Sequence, residues 1–296
     1  MKVVFFGTGD IVLPTLKYLL DNHEVVAVYT KPAVMVRKKL KYNPIYNLLS
    51  KDIIHTPDTL KSEIDYIKSL NADIGIVYSY GLIIPQKILN LFLYGCINIH
   101  PSFLPKWRGC APIQRAIEAG DREYGLSIMK MDCGIDTGAL YSQIMVYKGY
   151  PPKATFLYDL YAKQGAQEIE KFFKEYINNI PIPQKLENIS YAKKIEKNEL
   201  LLDISKSAEE LVFKINAFVP LYTPYIEILG IKVKVFSARI YGNFNDLQIG
   251  EIALKDNRKT LIIKCNNSCL SLLEVQPENG KRMKIKDFIN GYLKNF

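Results

Sequence analysis

Alternation of apolar runs with amphipathic segments is the feature that most restricts how this chain can fold. The strand-like runs fall at 3–6, 25–29, 74–78 and 97–100, and the helical segments at 13–20, 44–49, 60–70 and 85–92. Strands and helices in alternation build a parallel sheet that is covered by helices. The sequence therefore predicts an α/β fold with an N-terminal Rossmann-like parallel sheet domain. Ligands of such sheets collect at the carboxyl ends of the strands.

A second domain is predicted to follow the sheet. Residues 155–178 have the pattern of a long helix, and 181–202 contain two prolines and many charges, as linkers do. Beyond a helical segment at 208–218, short alternating runs occur at 225–228, 232–236, 251–254, 261–264 and 270–275. Short strands of even spacing favour a small β-barrel. We therefore expect one domain over 1–180, a linker over 181–202 and a C-terminal domain over 203–296.

Composition narrows the class of protein. The 296 residues are 48% apolar and 23% charged, which supports two domains with sizeable cores. We expect neither a membrane span nor an export signal, because no apolar run is long enough and the N-terminus turns into a glycine loop. The five cysteines lack CxxC spacing, so reduced thiols are expected rather than a metal site. The net charge of +9 points to a polyanionic partner, although it fits many basic proteins.

A glycine loop after the first strand invites a dinucleotide-binding interpretation. Residues 7–9 (GTG) lack the third glycine of that motif, and the second strand ends in YTK, without an acidic residue for a ribose. We expect a tight turn with backbone N–H groups at a helix start, and no NAD or FAD.

The run that ends at residues 98–100 (NIH) carries the first candidate site. Residues two apart in a strand point to the same face, so the Asn98 amide and the His100 imidazole should lie side by side. Pro101 and Pro105 stop the strand and stiffen a loop, which continues as an aromatic and cationic turn at 107–109 (WRG). Taken alone, such a pattern is more often a turn residue beside a core histidine than a catalytic pair.

A second candidate lies in the stretch 129–141 (MKMDCGIDTGALY), where two glycines frame Asp136 between strand-like runs. Asp and Gly together are first of all a turn signal. Beside the Asn98 and His100 pair, Asp136 becomes a candidate catalytic carboxylate. Asp132 is the neighbouring acid and the weaker candidate.

Three stretches together resemble the 10-formyltetrahydrofolate-dependent formyltransferases: 95–113 (GCINIHPSFLPKWRGCAPI), 129–141 and 276–283 (QPENGKRM). The resemblance covers nearly the whole chain. At 107–109 and 129–132 the sequence is similar to that of the family members that formylate methionyl-tRNA. It implies a formyltransferase catalytic domain over 1–180 and an OB-like, tRNA-binding domain over 203–296.

The resemblance also implies roles for individual residues. Asn98 and His100 would donate hydrogen bonds where negative charge develops on the formyl oxygen. Asp136 would support His100 and help to remove the proton of the attacking amine, while the group that accepts this proton stays open. The residues implied to bind the co-substrate, 10-formyltetrahydrofolate, are Tyr80, Gly81, Ser102, Phe103, Leu104 and Pro105, with Phe103 in place of the usual leucine. No metal is implied.

The segment 25–51 holds no acidic residue and six basic ones. A solvated lysine-rich loop is one explanation, and a loop that contacts phosphates is the other. The family has a mobile basic loop here that is implied to hold the acceptor end of tRNA, and a second basic cluster lies near the C-terminus. The residues expected to contact tRNA are Arg37, Lys38, Lys39, Lys41, Lys281 and Arg282.

We therefore expect a cytoplasmic, monomeric enzyme that formylates the amino group of methionine on initiator methionyl-tRNA, for translation initiation. Two alternatives stay open. A nucleotide-sugar N-formyltransferase would share the candidate catalytic residues but would not need the basic loop. A non-catalytic RNA-binding protein on the same fold would use the charge alone.

Overall fold

The computed structural model describes residues 1–32, 43–242, 244 and 246–294, together with the backbone of 34–36 and 39–41. The chain divides into two compact units whose segments alternate along the sequence. The first unit contains Met1–Pro112, Glu123–Lys148 and Tyr158–Lys193, and the second contains Ile113–Arg122, Gly149–Leu157 and Lys194–Phe296. The domain borders expected near residues 180 and 203 remain predictions.

Most strands of the first unit form one sheet. The strands are β1 (Lys2–Gly7), β2 (Glu24–Tyr29), β3 (Val34–Val36), β4 (Lys39–Lys41), β5 (Ile54–His55), β6 (Ile74–Tyr78), β7 (Cys96–His100), β8 (Arg108–Gly109), β9 (Glu123–Lys130), β10 (Leu140–Lys148) and β11 (Tyr191–Ala192). The sheet order is β10-β9-β7-β6-β1-β2-β5. Strands β7, β6, β1, β2 and β5 run parallel to one another, whereas β9 and β10 are antiparallel to their neighbours. The predicted parallel-dominated α/β sheet is confirmed, with an antiparallel edge in addition.

Burial explains the sequence pattern of the central strands. Strands β6 and β7 are buried along their whole length. A parallel strand covered on both faces reads as a continuous apolar run rather than as an alternation. Within β7, the polar residues Asn98 and His100 are therefore exceptions that need partners inside the protein.

The helices before residue 172 are α1 (Leu13–Asn22), α2 (Ile64–Ser69), α3 (Gln86–Leu89), α4 (Pro112–Glu118) and α5 (Ala154–Lys171). Helix α1 extends slightly beyond the predicted 13–20, whereas α3 and α5 are shorter than the predicted 85–92 and 155–178. The segment 44–49 forms only a 3-10 turn, Pro44–Asn47, and 60–70 begins with another, Leu60–Glu63. Side-chain caps from Asn43 and Thr59 start these turns. None of the described helices is long and apolar enough to cross a membrane.

The second unit is built on an antiparallel sheet. Its elements are β12 (Tyr225–Ile228), β13 (Ile231–Ile240), β14 (Ile252–Lys255), β15 (Thr260–Lys264), β16 (Cys269–Pro277), β17 (Met283–Lys284), α6 (Ala208–Phe218) and α7 (Ile285–Tyr292). The strand order is β12-β13-β16-β15-β14, with β17 beside β16. The sheet is curled into a half-barrel, which confirms the predicted small barrel-like fold. Helix α7 was not anticipated, and it contributes Phe288 and Ile289 to the core.

Two segments that precede residue 158 belong to the second unit. Arg115 forms an ion pair with Glu199 at 2.7 Å. The Arg122 guanidinium lies 4.6 Å from the centre of the Tyr150 ring, and this ring meets Phe213 edge-on at 5.3 Å. The second unit is therefore assembled from three stretches of sequence.

Candidate active site

Strand β7 supplies two buried polar side chains. Asn98 is 9% exposed and His100 is 4% exposed. The strand lies between β6 and β9, and His100 is its last residue. The carboxyl end of a parallel strand is where α/β sheets bind their ligands. Asn98 and His100 therefore lie where the fold class places a functional site.

Asp136 joins these two side chains. Asn98 Nδ2 donates to Asp136 Oδ1 at 3.3 Å, and His100 Nδ1 lies 3.6 Å from Asp136 Oδ2. The Gly109 N–H donates to Oδ2 at 2.7 Å. The Asp136 backbone has a φ of 51°, a left-handed conformation that aspartate adopts more readily than most residues. The structure thus brings the predicted residues together as the Asn98–His100–Asp136 cluster, and their roles in catalysis remain predictions.

The turn at 107–109 determines which nitrogen of His100 carries a hydrogen. His100 Nε2 lies 3.0 Å from the carbonyl oxygen of Trp107. A carbonyl oxygen only accepts, so Nε2 is the donor and the neutral ring has its lone pair on Nδ1. A proton added to Nδ1 would therefore lie between the ring and the Asp136 carboxylate.

Asp132 shapes the loop around the candidate carboxylate. Its Oδ1 accepts hydrogen bonds from the Gly134 N–H at 3.0 Å and from the Thr137 hydroxyl at 2.6 Å. Short side-chain contacts of this kind stabilise a turn. Asp132 is therefore engaged in the turn, and the choice of Asp136 as the functional acid remains a prediction.

Gln184 holds the Asp136 loop from outside the cluster. Its Nε2 donates to the carbonyl oxygens of Asp136 and Gly138, each at 2.8 Å. Its Oε1 accepts from Arg108 Nη2 at 2.7 Å and from Nε at 3.2 Å. Gln184 and Arg108 are both buried. Residue 184 falls in the stretch predicted to be a linker, and no sequence pattern there distinguishes it.

Residues 190–192, in the same predicted linker, form hydrogen bonds with the turn at 107–109 and with residue 110. Ser190 Oγ accepts the Trp107 N–H at 3.0 Å, and the Ser190 carbonyl oxygen accepts the Arg108 N–H at 2.9 Å. The Ala192 carbonyl oxygen accepts the Cys110 N–H at 2.9 Å, and β11 pairs in parallel with β8. Residues between 184 and 192 therefore contact both loops that surround the Asp136 carboxylate.

The tetrapeptide expected to bind folate is fixed by hydrogen bonds to β9. Ser127 Oγ donates to the Ser102 carbonyl oxygen at 2.6 Å and accepts the Leu104 N–H at 3.2 Å. The Phe103 ring occupies the space that a β-carbon at position 125 would need, so Gly125 makes room for the larger side chain. The role of 102–105 in folate binding remains a prediction.

In the turn after β6, the Tyr80 ring is buried, whereas the residues that follow it are more exposed. Tyr80 is 2% exposed, its ring meets Phe6 edge-on at 5.6 Å, and burial raises its pKa to about 12. Gly81 has a φ of 78°, and a β-carbon at this position would lie 2.7 Å from the Lys31 ammonium nitrogen. The Ile83 side chain is 90% exposed. The role of Tyr80 and Gly81 in binding the co-substrate remains a prediction.

The predicted tRNA-contacting residues of the first unit are incompletely described. Arg37 and Lys38 lie outside the described residues. Lys39 and Lys41 are described only as backbone of β4, which pairs antiparallel with β3. Their contact with tRNA remains a prediction.

The basic cluster near the C-terminus contains two different environments. Arg282 forms two hydrogen bonds with Glu274, at 2.6 and 2.7 Å, and lies 4.2 Å from the centre of the Phe236 ring. Lys281 is exposed and has no ion pair among the residues that the structure describes. Glu274 offsets the charge of Arg282, which makes Lys281 the stronger candidate for contact with phosphate.

A second cluster of side chains lies at the carboxyl edge of the same sheet. We call it the aromatic cluster, formed by Phe6, Tyr29, His55 and Tyr80 around Glu63. The Tyr29 ring stacks between Phe6 at 5.1 Å and His55 at 5.0 Å, and its hydroxyl donates to Glu63 Oε2 at 3.1 Å. His55 Nε2 and the Tyr80 hydroxyl are buried without a hydrogen-bond partner within the described ranges. Burial lowers the pKa of His55, and Glu63 only partly offsets this.

Comparisons with known proteins identify the family of this chain. Family profiles described as "Formyl transferase" and "Formyl transferase, C-terminal domain" match residues 1–148 and 194–293. The chain is 38% identical over 303 aligned residues to a methionyl-tRNA formyltransferase of Orientia tsutsugamushi (strain Boryong), covering 99% of this chain and 97% of the relative. In the described part of the chain, no group of three or more His, Cys, Asp or Glu side chains could hold a metal ion.

Solved structures share the fold at low identity. HypX from Aquifex aeolicus in complex with tetrahydrofolic acid gives a TM-score of 0.63 at 16% identity, covering 100% of this chain and 48% of HypX. A methionyl-tRNA formyltransferase from Clostridium thermocellum gives a TM-score of 0.60 at 17% identity, covering 92% of this chain and 99% of that chain. These likenesses support the fold alone.

Proposed function

This chain belongs to the formyl transferase family, and from that premise we propose that it transfers the formyl group of 10-formyltetrahydrofolate to the amino group of methionine on initiator methionyl-tRNA. The observation that carries the proposal is the 38% identity to a methionyl-tRNA formyltransferase over 99% of this chain. The product serves translation initiation. A nucleotide-sugar N-formyltransferase and a non-catalytic RNA-binding protein are the alternatives that this match disfavours.

The reaction requires one hydrogen-bond donor and one proton acceptor. When bound, 10-formyltetrahydrofolate supplies the formyl carbon, to which the amine nitrogen becomes bonded as the bond from that carbon to N10 breaks. Negative charge then develops on the formyl oxygen. Asn98 Nδ2 carries two hydrogens, and one of them is donated to Asp136 Oδ1. The second hydrogen stabilises the charge on the formyl oxygen.

The His100 and Asp136 pair removes the proton of the attacking amine. Because Nε2 of His100 donates to the Trp107 carbonyl oxygen, Nδ1 is the nitrogen that accepts. The Asp136 carboxylate, 3.6 Å from Nδ1, stabilises the charged ring. The pair then returns the proton to N10, which balances the transfer. In this assignment His100 accepts a proton instead of acting as the second donor, because its donor hydrogen is already used.

We also propose that the enzyme is a cytoplasmic monomer. All five cysteines are free thiols, the state that a reducing compartment maintains. Light scattering of the purified chain should give the mass of one chain, and a dimer mass would contradict this part of the proposal.

The test is transfer of labelled formyl from 10-formyltetrahydrofolate to charged initiator tRNA, with an amino-sugar nucleotide as the competing acceptor. We expect the tRNA to be formylated and the sugar nucleotide to stay unmodified. Formylation of the sugar nucleotide alone would assign the chain to the first alternative. No transfer to either acceptor would favour the non-catalytic protein.

Salt dependence of the same reaction tests the basic residues. Replacing Arg37, Lys38 and Lys39 together by Ala should weaken use of tRNA and flatten its dependence on salt, by up to about one slope unit for each phosphate that the protein no longer neutralises. Lys281→Ala and Arg282→Ala form a matched pair, and the Lys281 variant should flatten the dependence more, because Glu274 already pairs with Arg282. If the triple variant formylates tRNA like the wild type at every salt concentration, the loop is a solvated surface that does not contact tRNA.

A further inference from the structure

One residue after α5 is buried although its neighbours in the sequence are not. From 178 to 189, Gln184 is the single buried residue, with 8% exposure. A buried amide has lost its hydrogen bonds to water, so protein groups must replace them. The burial of Gln184 therefore depends on specific partners.

Four hydrogen bonds satisfy the Gln184 amide completely. The oxygen accepts two from Arg108, and the nitrogen donates its two hydrogens to the carbonyl oxygens of Asp136 and Gly138. Arginine only donates and a carbonyl oxygen only accepts, so the partners themselves identify the two ends of the amide. An amide at this position is the side chain that can serve both partners.

These contacts close a ring around the candidate carboxylate. Gly109 donates its N–H to Asp136 Oδ2, and Arg108, its neighbour in sequence, binds Gln184. Gln184 in turn binds the carbonyl oxygen of Asp136. Asp136 is thus held at its side chain and at its backbone by groups that are linked to each other. A left-handed backbone at a non-glycine residue persists where the surroundings hold it.

We infer that Gln184 is a positioning residue for Asp136, and that the stretch 181–193 forms part of the catalytic apparatus. This inference rests on the proposed function, because it requires Asp136 to act in formyl transfer. Gln184 does not touch the reacting atoms and acts by fixing the loop that directs the carboxylate toward His100. Catalytic groups need such support from residues behind them.

The test compares Gln184→Glu with a matched control. The variant can still accept hydrogen bonds from Arg108, but it cannot donate to the two loop carbonyl oxygens. We expect kcat to fall on the order of 10- to 100-fold, as for a displacement of about 1 Å, with KM for both substrates unchanged. Hydrogen exchange should become faster at residues 132–138. Gln167→Glu adds the same charge at an exposed site on α5 and should leave kcat and exchange unchanged.

A second variant and a double mutant separate positioning from general stability. Gln184→Asn keeps the amide but is one methylene shorter, so it should also lower kcat. In an Asp136→Ala background, Gln184→Glu should produce no further loss, because its effect passes through Asp136. Wild-type kcat in both position-184 variants, or a full further loss in the double mutant, would overturn the inference. Absence of formyl transfer by the wild-type enzyme would instead overturn the proposed function, whereas the exchange measurement would still test the hold on the loop.

Discussion

Two polar clusters lie at the carboxyl edge of one sheet, and they differ in how their polar atoms are satisfied. In the Asn98–His100–Asp136 cluster, the carboxylate contacts Asn98, His100 and the Gly109 N–H. In the aromatic cluster, Tyr29 binds Glu63, but the Tyr80 hydroxyl has no partner within the described ranges. One cluster is a connected hydrogen-bond network and the other is a packed stack of rings.

A position at the strand ends does not by itself make a polar group functional. Both clusters take side chains from the ends of parallel strands. In the Asn98–His100–Asp136 cluster, the loops at 107–109 and 132–138 also bind each other, because the Gly109 N–H donates to the Asp136 carboxylate. Such loops preorganise donors and acceptors around a position where a substrate can react. The aromatic cluster contributes buried surface instead.

The largest expected effect would come from changes in the Asn98–His100–Asp136 cluster. Asn98→Ala, His100→Ala and Asp136→Ala should each lower formyl transfer by about two orders of magnitude or more, because each removes a preorganised donor or the proton acceptor. Steady-state kinetics measure the loss, and thermal unfolding and folate binding should be largely unchanged. Near wild-type turnover in any of these variants would mean that the substituted residue is not catalytic.

A moderate effect on stability is expected in the aromatic cluster. Tyr29→Phe removes a partly buried hydrogen bond to a carboxylate and should lower the free energy of unfolding by about 1 to 2 kcal/mol. Turnover of the folded enzyme should stay unchanged. Tyr66→Phe is the matched control, since the Tyr66 ring meets His55 at a tilt of 45° from an exposed position, and the change should alter stability little. A drop in kcat without loss of stability in Tyr29→Phe would mean that this cluster is functional as well.

The smallest expected effect is a change in the pH dependence of stability. Burial lowers the pKa of His55 below its value in the unfolded chain, about 6.5. As the pH falls from about 7 to 5.5, the unfolded state therefore takes up more protons than the folded state, and the free energy of unfolding decreases. His55→Gln should make this decrease less steep in urea unfolding at several pH values. Burial also lowers the pKa of His23, outside both clusters, so His23→Gln should give a separate, additive change.

An unaltered pH dependence of stability in the His55→Gln variant would contradict this expectation. It would mean that His55 is as well solvated in the folded chain as in the unfolded one. The aromatic cluster would then be more open than its stacked rings indicate.

Local patterns predicted much of the fold, because the order of apolar and polar residues within a short segment indicates which residues are buried. The segments 74–78, 208–218 and 225–228 match β6, α6 and β12 residue for residue. Asn98 and His100 stood out because polar residues interrupt an apolar strand. Asp136 stood out because glycines surround it. Each of these signals can be read within about a dozen residues.

The support of the site was not predictable in the same way, because it depends on contacts between distant residues. Arg108 and Gln184 are 76 positions apart, and Gln184 is 48 positions from Asp136. The stretch around Gln184 is polar and contains prolines, so it has the composition of a linker. The pairing of Arg282 with Glu274 was likewise invisible, because a count of basic residues does not show which of them have partners.

The interleaved composition of the second unit limits how its gene could be recombined. Glu199 and Phe213 lie after residue 193, but their partners Arg115 and Tyr150 lie inside the stretches 113–122 and 149–157. A chimaera that joined residues 194–296 to another catalytic sheet would carry a carboxylate without its guanidinium and an aromatic ring without its neighbour. To transfer this unit intact, a chimaera would have to exchange all three of its sequence segments together.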